Sequence, residues 1–242
     1  MLALARPDFL RAAASLLYPP ACTICVEDVP AGRYLCESCE AKISRIIPPF
    51  CAKCSEPFPG AITSPFDCVN CGHRTLHFDA AVSAWRSRGI VRQVILNFKY
   101  GRQMHLRHLV ADWLFTAFED ERLRGREFDL IVPVPLHPAR QRERGFNQAA
   151  LLAELLSRQI SIPARAVLER IRYTTTQTAF DRAERMENLR GAFRLRRNAD
   201  VRNLRVLLVD DVLTTGSTLS ECARILKRAR VRSVYAATAA RA

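Results

Sequence analysis

The chain has 242 residues, of which 49% are hydrophobic, and it carries a formal net charge of +13. This length suits one medium domain or two small ones with a sizeable core, and the lack of any run of about 18 apolar residues argues against a membrane span. Residues 1–78 carry as many basic as acidic side chains, so the excess arises from residues 79–242 and is almost entirely arginine. Arginine pairs bidentately with phosphate. The excess therefore favours a polyphosphate or nucleic-acid ligand, with arginine spread over solvated faces as the plain alternative.

The N-terminal segment, residues 1–20, predicts a short packing helix and not a signal peptide. Its apolar stretch is interrupted by Arg6, Asp8 and Arg11, charges that the core of a signal peptide does not carry. We therefore expect a cytoplasmic protein.

Eight of the nine cysteines form four Cys-x-x-Cys pairs within residues 21–78. Each pair places two thiolates on one face of a tetrahedron, so two pairs complete one zinc site and four pairs predict two sites. The spacing allows sequential pairing, or a crossed pairing of the first pair with the third and the second with the fourth. Disulfides and a redox motif are the alternatives, but disulfides need an oxidising compartment and a redox motif uses a single pair. The predicted ligands are Cys22, Cys25, Cys36, Cys39, Cys51, Cys54, Cys68 and Cys71.

This cysteine module (residues 21–78) contains many prolines and few apolar runs, so metal would supply most of its folding free energy. A site with four cysteine ligands has no open coordination position, which predicts a structural module that serves for docking or recognition. Phe58, Phe66 and Phe78 are candidates for stacking on bases or for a small core.

From residue 79 onward, apolar periodicity predicts strands that alternate with helices. We predict strands at 79–86, 129–134, 167–172, 191–195, 206–209 and 231–238, and helices at 89–100, 105–118, 148–159 and 218–229. Residues 140–147 are expected to form a basic loop, and residues 173–190 a mobile loop. This alternation is typical of an α/β fold with a mainly parallel sheet and helices on both faces. Ligands bind such sheets at the C-terminal ends of the strands.

The stretch from Val206 to Thr218 predicts a ligand site. A buried strand ends in Asp210 and Asp211, and a turn rich in hydroxyl groups leads to a helix N-terminus that we expect to carry a capping box, Thr218 with Glu221. The amides of such a turn and the helix dipole attract an anion. The two carboxylates suit sugar hydroxyls or a hydrated Mg²⁺ ion. The stretch therefore predicts a sugar-phosphate site.

Two other phosphate-binding loops are excluded. A P-loop requires glycine followed by lysine, and no glycine in this chain is followed by lysine. A dinucleotide fingerprint requires Gly-x-Gly-x-x-Gly, a spacing that the nine glycines never adopt.

Residues 206–218, Val-Leu-Leu-Val-Asp-Asp-Val-Leu-Thr-Thr-Gly-Ser-Thr, resemble the motif with which type I phosphoribosyltransferases bind 5-phosphoribosyl 1-pyrophosphate (PRPP). Over about residues 10–240, the chain resembles the ComF (ComFC-like) competence family, in which a double zinc ribbon precedes a phosphoribosyltransferase domain. The other matching elements are Lys99-Tyr100-Gly101, Val132 to Pro135, Arg144 to Gln148, Gln177-Thr178 and Glu184 to Asn188.

With the N-terminal helix at 1–20, the resemblance implies a double zinc ribbon at 21–78 and a phosphoribosyltransferase-like domain at 79–242. It implies that Asp210 and Asp211 bind the ribose hydroxyls, with the Mg²⁺ of PRPP nearby, and that residues 173–190 close over the site. The 5-phosphate would be held by Thr214, Thr215, Gly216, Ser217 and Thr218. The pyrophosphate side would be formed by Pro133, Val134, Lys99 and Arg144.

The resemblance further implies Mg²⁺-dependent transfer of the phosphoribosyl group to an acceptor that the sequence does not identify, and a role in the uptake or use of external DNA. No catalytic residue is assigned. The alternatives are a non-catalytic adaptor that senses PRPP, or a single-stranded-DNA-binding protein that retains the fold alone. Expected partners are PRPP and, through the cysteine module, single-stranded DNA or a DNA-uptake or helicase protein.

Overall fold

The structure is a computed structural model, and it describes residues 20–62, 64–101, 103–173 and 189–242. The predicted N-terminal helix, most of the predicted mobile loop and the elements at 177–178 and 184–188 lie outside the described residues. No helix in the described part of the chain is long and apolar enough to cross a membrane.

A parallel sheet of four strands organises the chain. Its strands are β1 (Ala80–Arg86), β2 (Leu130–Pro133), β5 (Arg205–Leu213) and β6 (Ser233–Arg241), and their order across the sheet is β1-β6-β5-β2. A separate antiparallel pair consists of β3 (Leu168–Arg170) and β4 (Phe193–Leu195). The predicted α/β architecture with a mainly parallel sheet is confirmed.

Helices cover both faces of this sheet. The helices of the described residues are α1 (Glu37–Glu40), α2 (Val69–Gly72), α3 (Gly89–Tyr100), α4 (Arg107–Phe115), α5 (Pro138–Arg144), α6 (Gln148–Ile160) and α7 (Ser217–Arg228), and 3₁₀ turns at Met104–Leu106 and Thr116–Glu119 flank α4. Successive side chains of a strand point to opposite faces. Leu207 and Val209 accordingly share a core with α3, α4 and α6, whereas Val206 and Leu208 share the other core with α7 and the β3–β4 pair.

The expectation of a basic loop at residues 140–147 is wrong, because α5 occupies most of that range. Pro138 stands in the first turn, where its missing N–H has no helical partner to lose. The His137 side chain accepts a hydrogen bond from the Ala139 N–H at 3.2 Å and caps the helix. Gly145 ends α5 with a φ of 84°.

β5 is longer than the predicted strand, and Asp210 and Asp211 lie within it. The neighbouring β6 also continues past its predicted end to Arg241, and the two strands stay in register as far as Leu213. β5 is therefore paired with β6 both before Asp210 and after Asp211, which fixes the backbone that carries the two carboxylates.

The predicted capping box of Thr218 with Glu221 is wrong. α7 begins at Ser217, directly after Gly216, whose φ is 75°. The Glu221 carboxylate instead accepts a hydrogen bond from the Gly191 N–H at 2.9 Å and forms an ion pair with Arg224. Glu221 therefore ties α7 to the start of the β4 segment.

The cysteine module covers the free edge of β1. The Ile46 N–H donates to the Ala84 carbonyl at 2.8 Å, and the Ala81 N–H donates to the Lys53 carbonyl at 2.9 Å. Without these partners the edge of β1 would expose backbone donors and acceptors. The module thus continues the hydrogen bonding of the sheet.

Arg122, which follows α4, anchors the second half of the module. Its guanidinium donates to the Cys51 carbonyl at 3.2 Å, to the Ala52 carbonyl at 3.0 Å and to Ser55 Oγ at 2.9 Å, and it forms an ion pair with Asp120. These bonds join residues that the sequence assigns to different regions. The division at residue 78 stays a prediction.

Candidate functional site

The eight predicted cysteine ligands form two clusters. The first cluster contains Cys22, Cys25, Cys36 and Cys39, and the second contains Cys51, Cys54, Cys68 and Cys71. In each cluster all Sγ atoms lie within 4.8 Å of one another. The arrangement is the sequential one, which excludes the crossed pairing.

The sulfur separations fit a tetrahedral zinc ion. Sγ of Cys25 lies 3.5 Å from that of Cys36, and Sγ of Cys54 lies 3.7 Å from that of Cys68. Zinc–sulfur bonds of about 2.3 Å at tetrahedral angles place the sulfurs about 3.8 Å apart, whereas a disulfide bond is about 2.05 Å long. Four thiolates fill the coordination sphere, so both clusters suit structural zinc.

The thiols of the second cluster perturb one another. The hydrogen bond with Cys54 lowers the pKa of Cys51, and the same contact raises the pKa of Cys54 to about 12. Thiols this close compete for protons, and a zinc ion removes the competition because it binds all four as thiolates.

Two carboxylates occupy consecutive positions near the end of β5. The Asp211 side chain is almost fully buried, and its Oδ2 lies 2.8 Å from Nζ of Lys99 at the end of α3. Asp210 Oδ1 accepts a hydrogen bond from the Asp211 N–H at 2.9 Å. Lys99 therefore forms its ion pair with only one of the two carboxylates.

The pKa values of Asp210 and Lys99 reflect this unequal pairing. Desolvation, and then the adjacent Asp211, raise the pKa of Asp210 to about 7. Burial alone would lower the pKa of Lys99, but the ion pair with Asp211 outweighs burial and raises it. Lys99 is thus charged at neutral pH, and Asp210 is poised to ionise when a hydroxyl group or a cation compensates its charge.

The turn between β5 and α7 is built to meet an anion. The first-turn N–H groups of a helix have no intrahelical partner, and they form the positive end of its dipole. Thr215 Oγ1 and Ser217 Oγ lie 2.9 Å apart in the turn, and Thr214 is exposed. A Cβ atom on Gly216 would lie 3.5 Å from the Phe78 ring, and the φ of 75° there favours glycine.

The remaining predicted residues lie at the same edge of the sheet or next to it. Pro133 ends β2 beside Val209, and the Val134 N–H donates to the Val209 carbonyl at 2.9 Å. Arg144 ends α5 and donates to the hydroxyl group of Tyr100 at 2.7 Å. Arg144 thus contacts Tyr100, the residue that follows Lys99 in the chain.

One residue at this edge was missed by the sequence analysis. Nη2 of Arg74, in the cysteine module, donates to the Thr215 carbonyl at 2.7 Å, across 141 residues of sequence. The only sequence signal is its position three residues after the last cysteine ligand, which by itself does not point to the turn.

Comparisons with known proteins agree with this geometry. The profile of the phosphoribosyl transferase domain matches residues 147–242, and that of the double zinc ribbon domain matches residues 13–72. Competence protein F of Haemophilus influenzae is 33% identical over 213 residues, which cover 86% of this chain and 90% of that protein. The chain belongs to the competence protein F family.

Further members extend the range of this family. DNA utilization protein YhgH of Escherichia coli is 30% identical, over 88% of this chain and 93% of that protein. Competence protein ComFC of Bacillus subtilis is 27% identical, over 84% and 82% respectively. The match to an adenine phosphoribosyltransferase structure from Rhodothermus marinus covers 84% of this chain and 83% of that chain at 16% identity, with a TM-score of only 0.38.

We expect the purified protein to contain two zinc ions per chain. Elemental analysis by mass spectrometry measures this number, and a thiol assay on the denatured, metal-stripped protein should titrate all nine cysteines. Cys39→Ser should lose one zinc ion because a four-ligand site becomes incomplete. The control Cys222→Ala, in the core beside α7, should keep both, and disulfides in place of zinc would contradict the assignment.

Asp210→Asn should change how stability depends on pH. Because the native pKa of Asp210 is raised to about 7 and that of an unfolded aspartate is about 3.9, the native protein keeps a proton that the unfolded chain releases. The contribution of Asp210 to the stability of the wild type therefore falls as pH rises from about 4 to about 7. An amide does not titrate, so the unfolding free energy of the variant should gain on that of the wild type by on the order of 2 kcal/mol from pH 5 to pH 8.

Urea denaturation without Mg²⁺ or ligand measures this difference. Asp200→Asn is the matched control, because hydrogen bonds from Arg202 lower the pKa of Asp200 to about 2, so it does not titrate in that window. A difference between wild type and Asp210→Asn that is the same at both pH values would refute the elevated pKa.

Proposed function

We propose that this protein binds PRPP with Mg²⁺ at the C-terminal edge of its sheet and transfers the phosphoribosyl group to an acceptor. The observation that carries the proposal is the juxtaposition of Asp210 and Asp211 with the turn that leads from the end of β5 to the N-terminus of α7. PRPP presents a phosphate group and vicinal hydroxyl groups a few ångströms apart. It therefore needs anion donors and carboxylate acceptors together.

Each group of residues has a part in this proposal. Residues 214–218 would hold the 5-phosphate with their amide and hydroxyl donors. Asp210 and Asp211 would accept hydrogen bonds from the ribose hydroxyls, and Pro133 and Val134 would line the pyrophosphate side. The donor set also fits Mg²⁺, because carboxylate oxygens are the ligands it prefers. Burial raises the pKa of Asp210, and a cation bound beside it would favour the charged carboxylate.

In the transfer, the bond from the anomeric carbon to pyrophosphate breaks as the bond to the acceptor forms, and pyrophosphate leaves with the electron pair. Mg²⁺ would neutralise charge on the pyrophosphate. The chain's own contribution would be to position the reactants and to supply positive charge. Lys99 and Arg144 would supply positive charge to the pyrophosphate.

PRPP with Mg²⁺ should stabilise the protein. At a concentration of about 100 times Kd, binding adds about 2.7 kcal/mol, which raises Tm by several degrees. The double variant Asp210→Asn, Asp211→Asn should lose that shift, whereas the exposed control Asp200→Asn should keep it. A shift that survives in the double variant would sink the assignment.

Catalysis is tested by incubating the protein with labelled PRPP and a panel of bases and oligonucleotides. Release of pyrophosphate that depends on one acceptor supports the transferase. Binding without release for any acceptor favours the alternative of a non-catalytic PRPP-sensing adaptor.

A second candidate function, binding of single-stranded DNA, is favoured by a specific surface. Tyr100 and Tyr173 are 60% and 54% exposed. Cζ of Arg144 lies 4.6 Å from the ring centre of Tyr100, and Cζ of Arg140 lies 5.7 Å from that of Tyr173. The two arginines are four residues apart on α5, so both pairs lie along one face of this helix. Exposed rings beside cations are what unpaired bases stack on.

This surface adjoins the proposed PRPP site through Lys99 and Tyr100. Relatives are named as competence and DNA utilization proteins. We therefore propose a cytoplasmic role in handling incoming DNA, in which the single strand, or a protein that carries it, approaches along α5.

Tyr100→Ala and Tyr173→Ala should each weaken binding of a fluorescent oligo-dT by about ten-fold. The controls Tyr100→Phe and Tyr173→Phe keep the ring and should bind like the wild type. Fluorescence anisotropy at several salt concentrations measures the affinity, which should fall steeply with salt if phosphates are contacted. Alanine variants that bind the oligonucleotide as well as the phenylalanine variants do would refute DNA binding at this surface.

A further inference from the structure

The segment that follows the last cysteine ligand runs along the turn between β5 and α7, residues 214–216, which we call the phosphate turn. This connecting segment, residues 71–78, begins at Cys71 in the second cluster and ends at Phe78 before β1. The His77 N–H donates to Ser220 Oγ in the first turns of α7 at 3.1 Å. The Phe78 ring packs against Gly216, the residue before α7. The connecting segment thus touches both the turn and the helix that would hold the 5-phosphate.

Arg74 makes the most direct of these contacts. Its backbone N–H donates to the Cys71 carbonyl at 3.3 Å, and its side chain donates to the Thr215 carbonyl at 2.7 Å. One residue therefore bridges a cysteine ligand of the second cluster and the middle of the turn.

The guanidinium of Arg74 is not satisfied by this bond. Its Nε and Nη1 are shielded from solvent and have no hydrogen-bond partner among the described residues. Buried donors without partners are costly, so a role for the charge of Arg74 has to be sought in what lies next to it. Here the charge lies directly behind a turn that would receive a phosphate, so it adds to the positive end of the α7 dipole.

We propose that metal in the second cysteine cluster positions the phosphate turn through Arg74, so that metal binding and phosphate binding are coupled. This inference rests on the proposed function, since it assigns a regulator to the same site. Arg74 is a positioning residue, because its side chain holds the Thr215 carbonyl.

The first cluster serves as an internal comparison. Its buried cysteines share a core with α3, α4 and α6, on the face of the sheet opposite α7. Within the part of the chain that the structure describes, no hydrogen bond of the first cluster's cysteines reaches the turn. The coupling is therefore specific to the second cluster, and because linkage is reciprocal, PRPP should retain zinc in that cluster by the same factor by which zinc strengthens PRPP binding.

The first experiment compares Arg74→Ala with Arg33→Ala, a matched control in the cysteine module that removes an arginine paired with Glu40 near the first cluster. Titration calorimetry should show PRPP–Mg²⁺ binding about ten-fold weaker in Arg74→Ala and unchanged in Arg33→Ala. Arg74→Lys, which keeps one donor, should recover part of the affinity. Zinc content should stay at two in all three variants, which separates positioning from loss of the fold.

The second experiment follows zinc release to a zinc-selective chromogenic chelator. With PRPP and Mg²⁺ present, one of the two zinc ions should leave more slowly, and Arg74→Ala should abolish that protection. Cys25→Ser, which disables the first cluster, should keep the protected ion.

The outcomes distinguish the two claims. Failure of the wild type to bind PRPP would refute the proposed function and this inference with it. PRPP binding that is equally tight in Arg74→Ala, together with zinc release that PRPP does not slow, would overturn the coupling alone.

Discussion

The ion pair between Lys99 and Asp211 sets the character of the candidate site. Breaking a buried ion pair on one side costs about 3–5 kcal/mol, because it leaves a buried charge uncompensated. The pair therefore fixes the end of α3 against β5. Burial, and then the neighbouring charge of Asp211, raise the pKa of Asp210 to about 7. A protein selected for stability alone would not keep two adjacent carboxylates there, and such a cost is typical of functional sites.

The position of this pair depends on the sheet, and the sheet depends on the cysteine module. β1 lies at one edge, and the module supplies backbone partners to it through Ile46 and Lys53. Its first cluster packs into the core on one face, and its second cluster packs into the core on the other. The two cysteine clusters thus hold the module against β1, whose backbone groups would otherwise be unpaired at the edge of the sheet. The resulting module is integral to the domain, and its role in docking a partner stays a prediction.

Sequence reasoning reached the layers of this fold because they depend on local patterns. The run Val206–Val209 is apolar at every position, as a strand covered on both faces requires, and Cys-x-x-Cys turns need only short-range geometry. It missed α5 because the arginine-rich sequence after Pro138 lacks an apolar face, while the helix depends on a proline and a cap at its start. It missed the Arg74–Thr215 contact because nothing local in either segment specifies a partner 141 residues away.

The sequence did not decide whether the excess of arginine serves ligand binding or lies on solvated faces. Arginines at the two ends of the sheet have different roles. At the N-terminal end of β5, Arg205 lowers the pKa of Asp129 to about 2 through its hydrogen bonds, so its charge is spent within the fold. At the C-terminal end, Arg144 stands over the exposed ring of Tyr100, and Arg74 lies behind the phosphate turn with two donors unsatisfied within the described residues. Positive charge beside the candidate ligand site is therefore found at the C-terminal ends of the strands, where parallel sheets bind ligands. Its position, more than the total of +13, favours a phosphorylated substrate.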